Sequence, residues 1–315
     1  MKYFRTILAS GFVACLTLLT YSPLHAEILF KETFESNSLN ANAEGNDINT
    51  IGFNWQNPNR TSIVTGGPGE NAQSYSSFIS VNDDRDWSAK EGLYSMRFRY
   101  VAGTAMAEQR FDFEPQSSLW IRYWVRVPTN YSHGTGGGGA VNNKFLSLWM
   151  DGYEGQGDGS TFWLSMESAG SGDTNLAFTY TTGMNTGSVA MQQHFNFIDA
   201  SQDRGRWMQI LIHLKSESSS GSSDGTIETW RKWDGETSYT RMHSKYDVPF
   251  REPSSPKGFA EGYLMGWANG SYSENTEWLL DELTISNTSL LDETAPQQTS
   301  KAVPPSSFSS DIAQP

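Results

Sequence analysis

Trp120-Ile121-Arg122-Tyr123-Trp124-Val125-Arg126-Val127 alternates without a break. Successive side chains of a β-strand point to opposite faces. The stretch therefore puts Ile121, Tyr123, Val125 and Val127 on one side and Trp120, Arg122, Trp124 and Arg126 on the other. The first side is a core face. The second suits a sugar chain, because indole rings stack on the apolar sides of sugars while guanidinium forks grip hydroxyls or carboxylates. It also reads as a face under a second apolar layer, with its arginines paired to acids and its tryptophans merely packed.

Outward from this strand the rest of the chain follows suit. Glycine, serine, asparagine and aromatic residues dominate, helical periodicity is scarce, and short alternating runs recur between turn-rich segments. The runs are 28–34, 93–101, 119–127, 144–150, 161–166, 175–180, 207–215, 225–233, 262–267 and 278–286. So many strands fit one large two-sheet antiparallel β-sandwich better than several small domains. The glycine run 134–139 and the segments 151–160 and 216–223 read as loops inside that domain, since no neighbouring strand has enough apolar surface to stand alone. Residues 292–315, rich in proline, serine and glutamine, read as a disordered tail, which sets the domain at about residues 27–290 and the tail at 291–315.

Residues 1–26 read as an export signal: Lys2 and Arg5 precede a mostly apolar run from Ile7 to Thr20, and Leu24-His25-Ala26 ends in a small residue. The expected location is secreted or periplasmic. No other stretch is long and apolar enough to span a bilayer. Cys15 lies inside this segment, so the mature chain would hold no thiol; acylation at Cys15 is the alternative reading. Loss of Lys2 and Arg5 moves the formal charge from −13 to −15. A nucleic-acid partner is excluded on that ground, whereas an anionic polysaccharide is not, because a local arginine-lined cleft can be positive within a negative protein. A monomer is expected.

Two end segments, Ile28-Leu29-Phe30-Lys31-Glu32-Thr33-Phe34-Glu35 and Trp278-Leu279-Leu280-Asp281-Glu282-Leu283-Thr284-Ile285, resemble the opening and closing strands of the concanavalin A-like lectin/glucanase jelly roll. The run 206–214, followed by Asp224-Gly225-Thr226-Ile227-Glu228-Thr229-Trp230 and Asp234-Gly235, resembles the central hairpin of secreted polysaccharide lyases and related sugar-binding members. The resemblance implies a jelly roll whose terminal strands lie side by side. It does not by itself imply activity, because non-catalytic members share the architecture. The clustered glutamates of retaining glucanases on this fold are absent from the strands read here.

Alternation sorts the other strands likewise. Gln209, Leu211, His213 and Lys215 fall together, as do Thr226, Glu228, Trp230 and Lys232, as do Arg97 and Arg99, and as do Tyr263, Met265 and Trp267. If these faces adjoin Arg122 and Trp124, one groove carries what β-elimination of a uronate polysaccharide requires. Arg122 or Gln209 would neutralise the carboxylate, His213 would remove the C5 proton, and Tyr263 would protonate the leaving oxygen. Trp120, Trp124, Arg126, Arg97, Arg99, Glu228, Trp230 and Trp267 would hold the chain. The bland alternatives are a hydrogen-bonded surface histidine at His213 and a packed tyrosine at Tyr263.

The chemistry requires no cofactor. His133, His194 and His243, assigned to a glycine loop and polar connections, show no paired zinc-ligand spacing. Neither a phosphate-binding glycine motif nor a Gly-x-Ser-x-Gly elbow is present. Structural calcium has one candidate place: Glu32 or Glu35 and Asp281 would meet if the termini pair, although the same acids also read as ordinary solvated strand-end carboxylates. The sequence therefore points to a polysaccharide lyase, with a non-catalytic lectin-like protein as the alternative. A surface protein using the fold for protein contacts is the third class.

Overall fold

A computed structural model describes residues 27–39, 48–66, 86–133, 143–150, 160–170, 172–182, 190–250, 258–268 and 270–291. Residues 1–26 with Cys15, residues 292–315, and segments 134–139 and 151–159 lie outside the described residues.

Sixteen strands and no helix make up the described chain: β1 (Ile28–Glu32), β2 (Ile48–Asn49), β3 (Asn54–Asn59), β4 (Thr61–Val64), β5 (Ser95–Tyr100), β6 (Met106–Gln116), β7 (Ser118–Arg126), β8 (Asn143–Trp149), β9 (Thr161–Gly170), β10 (Asp173–Tyr180), β11 (Ala190–Ile198), β12 (Trp207–Lys215), β13 (Gly225–Trp233), β14 (Thr240–Val248), β15 (Phe259–Trp267) and β16 (Thr276–Ser286). They form an antiparallel two-sheet sandwich. The first sheet runs β14-β13-β12-β7-β16-β1-β2, with β5 also on β16 and β4 on β5; the second runs β11-β10-β9-β8-β15-β6-β3.

The alternating strand β7 sits near the middle of the first sheet. Ile121 faces Ile212 and Ile285 across its two neighbours, Tyr123 faces Ile210, and Val125 faces Met208 and Leu280. These meet Leu146, Leu148, Phe162, Leu164 and Phe178 of the second sheet in one continuous core. Burial of each such side chain stabilises the fold by about 1.5–3 kcal/mol. Trp278 ties the layers together, edge-on to Phe145 at 5.5 Å and to Tyr131 at 5.2 Å.

The terminal strands pair as the resemblance implied, with Phe30 opposite Ile285 and Lys31 opposite Thr284. The edge of β16 changes partner midway, from β5 at residues 276–280 to β1 beyond Leu283. The register shifts at Asp281, and Glu282 adopts a φ of 51°. Three carboxylates staple this seam. Asp281 accepts the Lys90 and Glu91 amides at 2.8 and 3.1 Å, Glu35 accepts those of Leu93 and Tyr94 at 2.9 Å, and Glu32 accepts the Phe34 amide at 2.8 Å. The fold thus brings the candidate calcium ligands to one seam, where each serves backbone amides. No group of three His, Cys, Asp or Glu among the described residues is arranged to hold a metal.

Two placements differ from the sequence reading. His243 lies in β14 rather than in a connection, buried and edge-on to Phe178 at 5.1 Å, and His194 lies in β11. His133 is buried, with Nδ1 3.3 Å from the Tyr131 hydroxyl. Strand β6 escaped the sequence reading because Gln109, a polar residue, occupies an inward position between Ala107 and Phe111 and hides the alternation.

Candidate functional site

Pairing assembles most of the predicted surface on the outer face of the first sheet. Trp120 lies beside His213, Arg122 beside Leu211, and Trp124 beside Gln209. The next strand adds Glu228, Trp230 and Lys232 in the same rows. Through β16, Arg126 adjoins Leu279, which pairs with Arg97, while Arg99 pairs with Glu277.

Much of this face is covered from within the chain. At one end Trp87 packs with Val64, Trp207 and Leu279, against Trp124. Arg126 donates to Asp86 at 2.9 Å and to the Gly205 carbonyl at 2.9 Å. Arg97 and Arg99 lie 3.7 and 3.6 Å from Glu277, which also accepts the Trp87 indole N–H at 2.9 Å. At the other end Leu290 seals Trp120, Leu211 and Trp230, leaving the two indoles only 9% and 7% exposed. The second-layer reading therefore describes both ends of the face, since an internal partner occupies each guanidinium and indole there.

His213 lies in the row of Trp120, at the Leu290 end of the face. Its Nδ1 is 3.0 Å from Glu228 Oε2, and the Tyr246 hydroxyl donates to Glu228 Oε1 at 2.6 Å. Burial pulls the imidazole below its ordinary value, against the raising effect of Glu228. A neutral ring with its proton on Nδ1, toward Glu228, satisfies this arrangement. Gln209 is held by the Tyr239 hydroxyl at 2.5 Å.

Tyr263 and Trp267 do not join this group. Both are on β15 of the second sheet, Trp267 at its exposed end. Met265, read as sharing their face, instead enters the core with a φ of 59°, which breaks the alternation. Gly262 and Leu264 face inward against Leu148, Phe111 and Leu146, so Tyr263 points to the far side of the sandwich from His213.

On that far side a row crosses four strands: Arg110, Tyr263, Ser147 and Trp163 are successive cross-strand partners. Ser165 pairs with Lys144 on one side and Ala177 on the other, and Glu167 pairs with Asn175. Trp149 meets the Tyr263 ring at 5.3 Å. Glu108 fixes Arg110, accepting its Nε–H at 2.7 Å. Among the described residues, four buried polar atoms of this face have no hydrogen-bond partner: Glu108 Oε2, Ser147 Oγ, Ser165 Oγ and Asn175 Oδ1. Each such group is costly to leave unpaired, by about 1–3 kcal/mol.

The sequence reading contained the signal for part of this row. Thr161-Phe162-Trp163-Leu164-Ser165-Met166-Glu167 alternates as strictly as the opening strand. Arg110 had no such signal, because β6 was not read as a strand.

No protein family matches the chain, and no curated relative matches it. Solved structures resemble its path. An alginate lyase, Aly36B, in complex with alginate tetrasaccharide is 12% identical with a TM-score of 0.43, over 62% of this chain and 81% of its own. The marine PL-14 alginate lyase from Aplysia kurodai is 12% identical with a TM-score of 0.45, over 72% and 98%. The botulinum neurotoxin serotype G binding domain is 10% identical with a TM-score of 0.45, over 84% and 48%. These likenesses are of chain path alone.

Proposed function

We propose that this protein is a polysaccharide lyase that cleaves a uronate-containing chain by β-elimination on the outer face of the second sheet. The observation that carries this reading is the row Arg110, Tyr263, Ser147 and Trp163, flanked by buried polar atoms that lack partners. The Trp163 indole, partly exposed beside this row, offers a stacking surface for a sugar ring.

In β-elimination the C5–H bond breaks and its electron pair becomes the C4=C5 double bond. The C4–O bond then breaks, and the leaving oxygen takes a proton. The C5 proton is too weakly acidic until the developing charge on the carboxylate is stabilised. Arg110, oriented by Glu108, supplies that stabilisation. Tyr263, directly beside it, delivers the proton to the leaving oxygen, and Lys144 of β8, opposite Ser165 in the neighbouring row, accepts the C5 proton as the neutral amine. The first sheet offers Arg122, Gln209 and His213 for the same roles, but Tyr263 is not among the residues of its rows.

Incubation with alginate, glucuronan, pectate and glycosaminoglycans, followed by the ultraviolet absorbance of the unsaturated uronate, tests the proposal. A rise on one substrate that falls at least ~100-fold in Tyr263→Phe is expected. No rise on any of the four, from folded protein, overturns it and leaves a carbohydrate-binding role.

A further inference from the structure

The cover on the first sheet is incomplete. Between the Leu290–Leu291 cap and the β13–β14 turn is an open cavity of about 510 Å³, within the range of small-molecule sites. Trp230, Lys232, Tyr239, Arg241 and Leu291 are among the residues that line it.

Its charge stands apart from the rest of the protein. The whole chain carries a formal −13, yet among the described residues that line this cavity none is acidic. The Lys232 ammonium lies 4.9 Å from the Tyr239 ring centroid and 5.8 Å from that of Trp124, which Lys90 also approaches at 4.8 Å. Among the described residues Lys232 has no ion-pair partner; nearby Asp234 is taken by Lys90 at 3.5 Å. Burial, with Arg122 and Lys90 adding repulsion, lowers the Lys232 ammonium from its ordinary value. Arg241, exposed on β14 opposite Trp230, donates to the Tyr246 hydroxyl at 3.4 Å and has no ion-pair partner among the described residues.

Two cations with no ion-pair partner among the described residues, set beside aromatic walls, match one chemistry. A pyranose with a carboxylate stacks its C–H face on an aromatic ring and places its charge between the cations. A neutral sugar would leave the cations unmatched. A small inorganic anion would leave the aromatic walls unused. The Tyr239 ring is held for such stacking by its hydroxyl bond to Gln209.

We infer that this cavity is a second binding site for acidic saccharide, on the opposite side of the sandwich from the proposed lyase row. It does not depend on the lyase chemistry, and it would let the domain hold a uronate chain by a surface that does not cut it.

Calorimetric titration of the full chain carrying Tyr263→Phe with an alginate tetrasaccharide at low salt tests the site, because that background halts turnover if the lyase reading holds and is harmless if it does not. The parent is expected to bind. Lys232→Gln with Arg241→Gln is expected to remove one binding event or weaken it at least tenfold, and Arg241→Glu alone, at an exposed position, to weaken it as well. Identical isotherms for parent and variants, or no binding by the parent, overturn the inference. Neither result bears on whether the parent sequence with Tyr263 intact produces unsaturated uronate.

Discussion

The imidazole of His213 lies flat on the indole of Trp120, ring centroids 4.2 Å apart and planes 9° from parallel, while its Nδ1 faces Glu228 at 3.0 Å. Trp230 stacks with the same indole at 5.5 Å and 19°. The two neighbours most suggestive of a sugar-binding groove thus form the inside of a small satellite core, closed by Leu290.

His213→Asn should therefore lower stability by about 1–2 kcal/mol through lost stacking and the Glu228 bond, and leave lyase turnover unchanged. Loss of turnover without loss of binding would move the chemistry to the first sheet.

His213 also makes stability pH-dependent. Burial lowers its folded pKa beneath the ordinary 6.5, so the unfolded chain binds more protons between those two values. Stability from this residue is fully present above pH 6.5 and is lost as pH falls. The difference in melting temperature between the parent and His213→Asn should shrink as pH falls from 7.5 to 5.

Asp281 acts in the opposite direction. Burial raises its pKa from 3.8 to about 8, although backbone amides and the neighbouring Glu282 also act on it. Between those values the folded state binds the extra proton, so its contribution to stability falls as pH climbs from about 4 to 8. Asp281→Asn, which keeps one oxygen acceptor and no charge, should raise the melting temperature at pH 8 and change it little at pH 4. Equal shifts at both pH values would show that Asp281 is ionised throughout.

Glu277 is the counter-charge to two buried arginines, its side chain only 6% exposed. Glu277→Gln leaves Arg97 and Arg99 facing a neutral amide and should cost about 3 kcal/mol or more, read from denaturant midpoints. A loss under ~1 kcal/mol would mean that their other partners suffice.

Gly262 sits where β15 crosses β8, and a Cβ there would meet the Ser147 carbonyl oxygen at 2.1 Å and the Leu148 and Phe111 side chains at 3.0 Å. Gly262→Ala should destabilise by about 1–3 kcal/mol and displace Tyr263 from its row. Turnover should fall further than stability explains. A variant that melts and cleaves like the parent would show that the strands part freely.

The strand assignment of Trp120 to Val127 and of residues 207–215 and 225–233 was legible because each side of these strands differs in polarity from the other. Pairing of the terminal strands was legible through the resemblance of residues 28–35 and 278–285 to known end strands. Strands β6 and β14 were not, since a buried Gln109 in the one and a register shift near Met242 in the other disguise the period.

The sequence by itself determined that this chain is all β and which side chains of a strand share a face, because alternation is a local consequence of backbone geometry. Only the tertiary structure decided which faces meet and which are covered. Tyr263 and His213 fall on opposite sides of the sandwich because β15 pairs with β6 and β8 rather than with β7 and β12. Leu290 and Trp87 cover the tryptophan face through contacts between residues far apart in sequence, which no local pattern of side chains encodes.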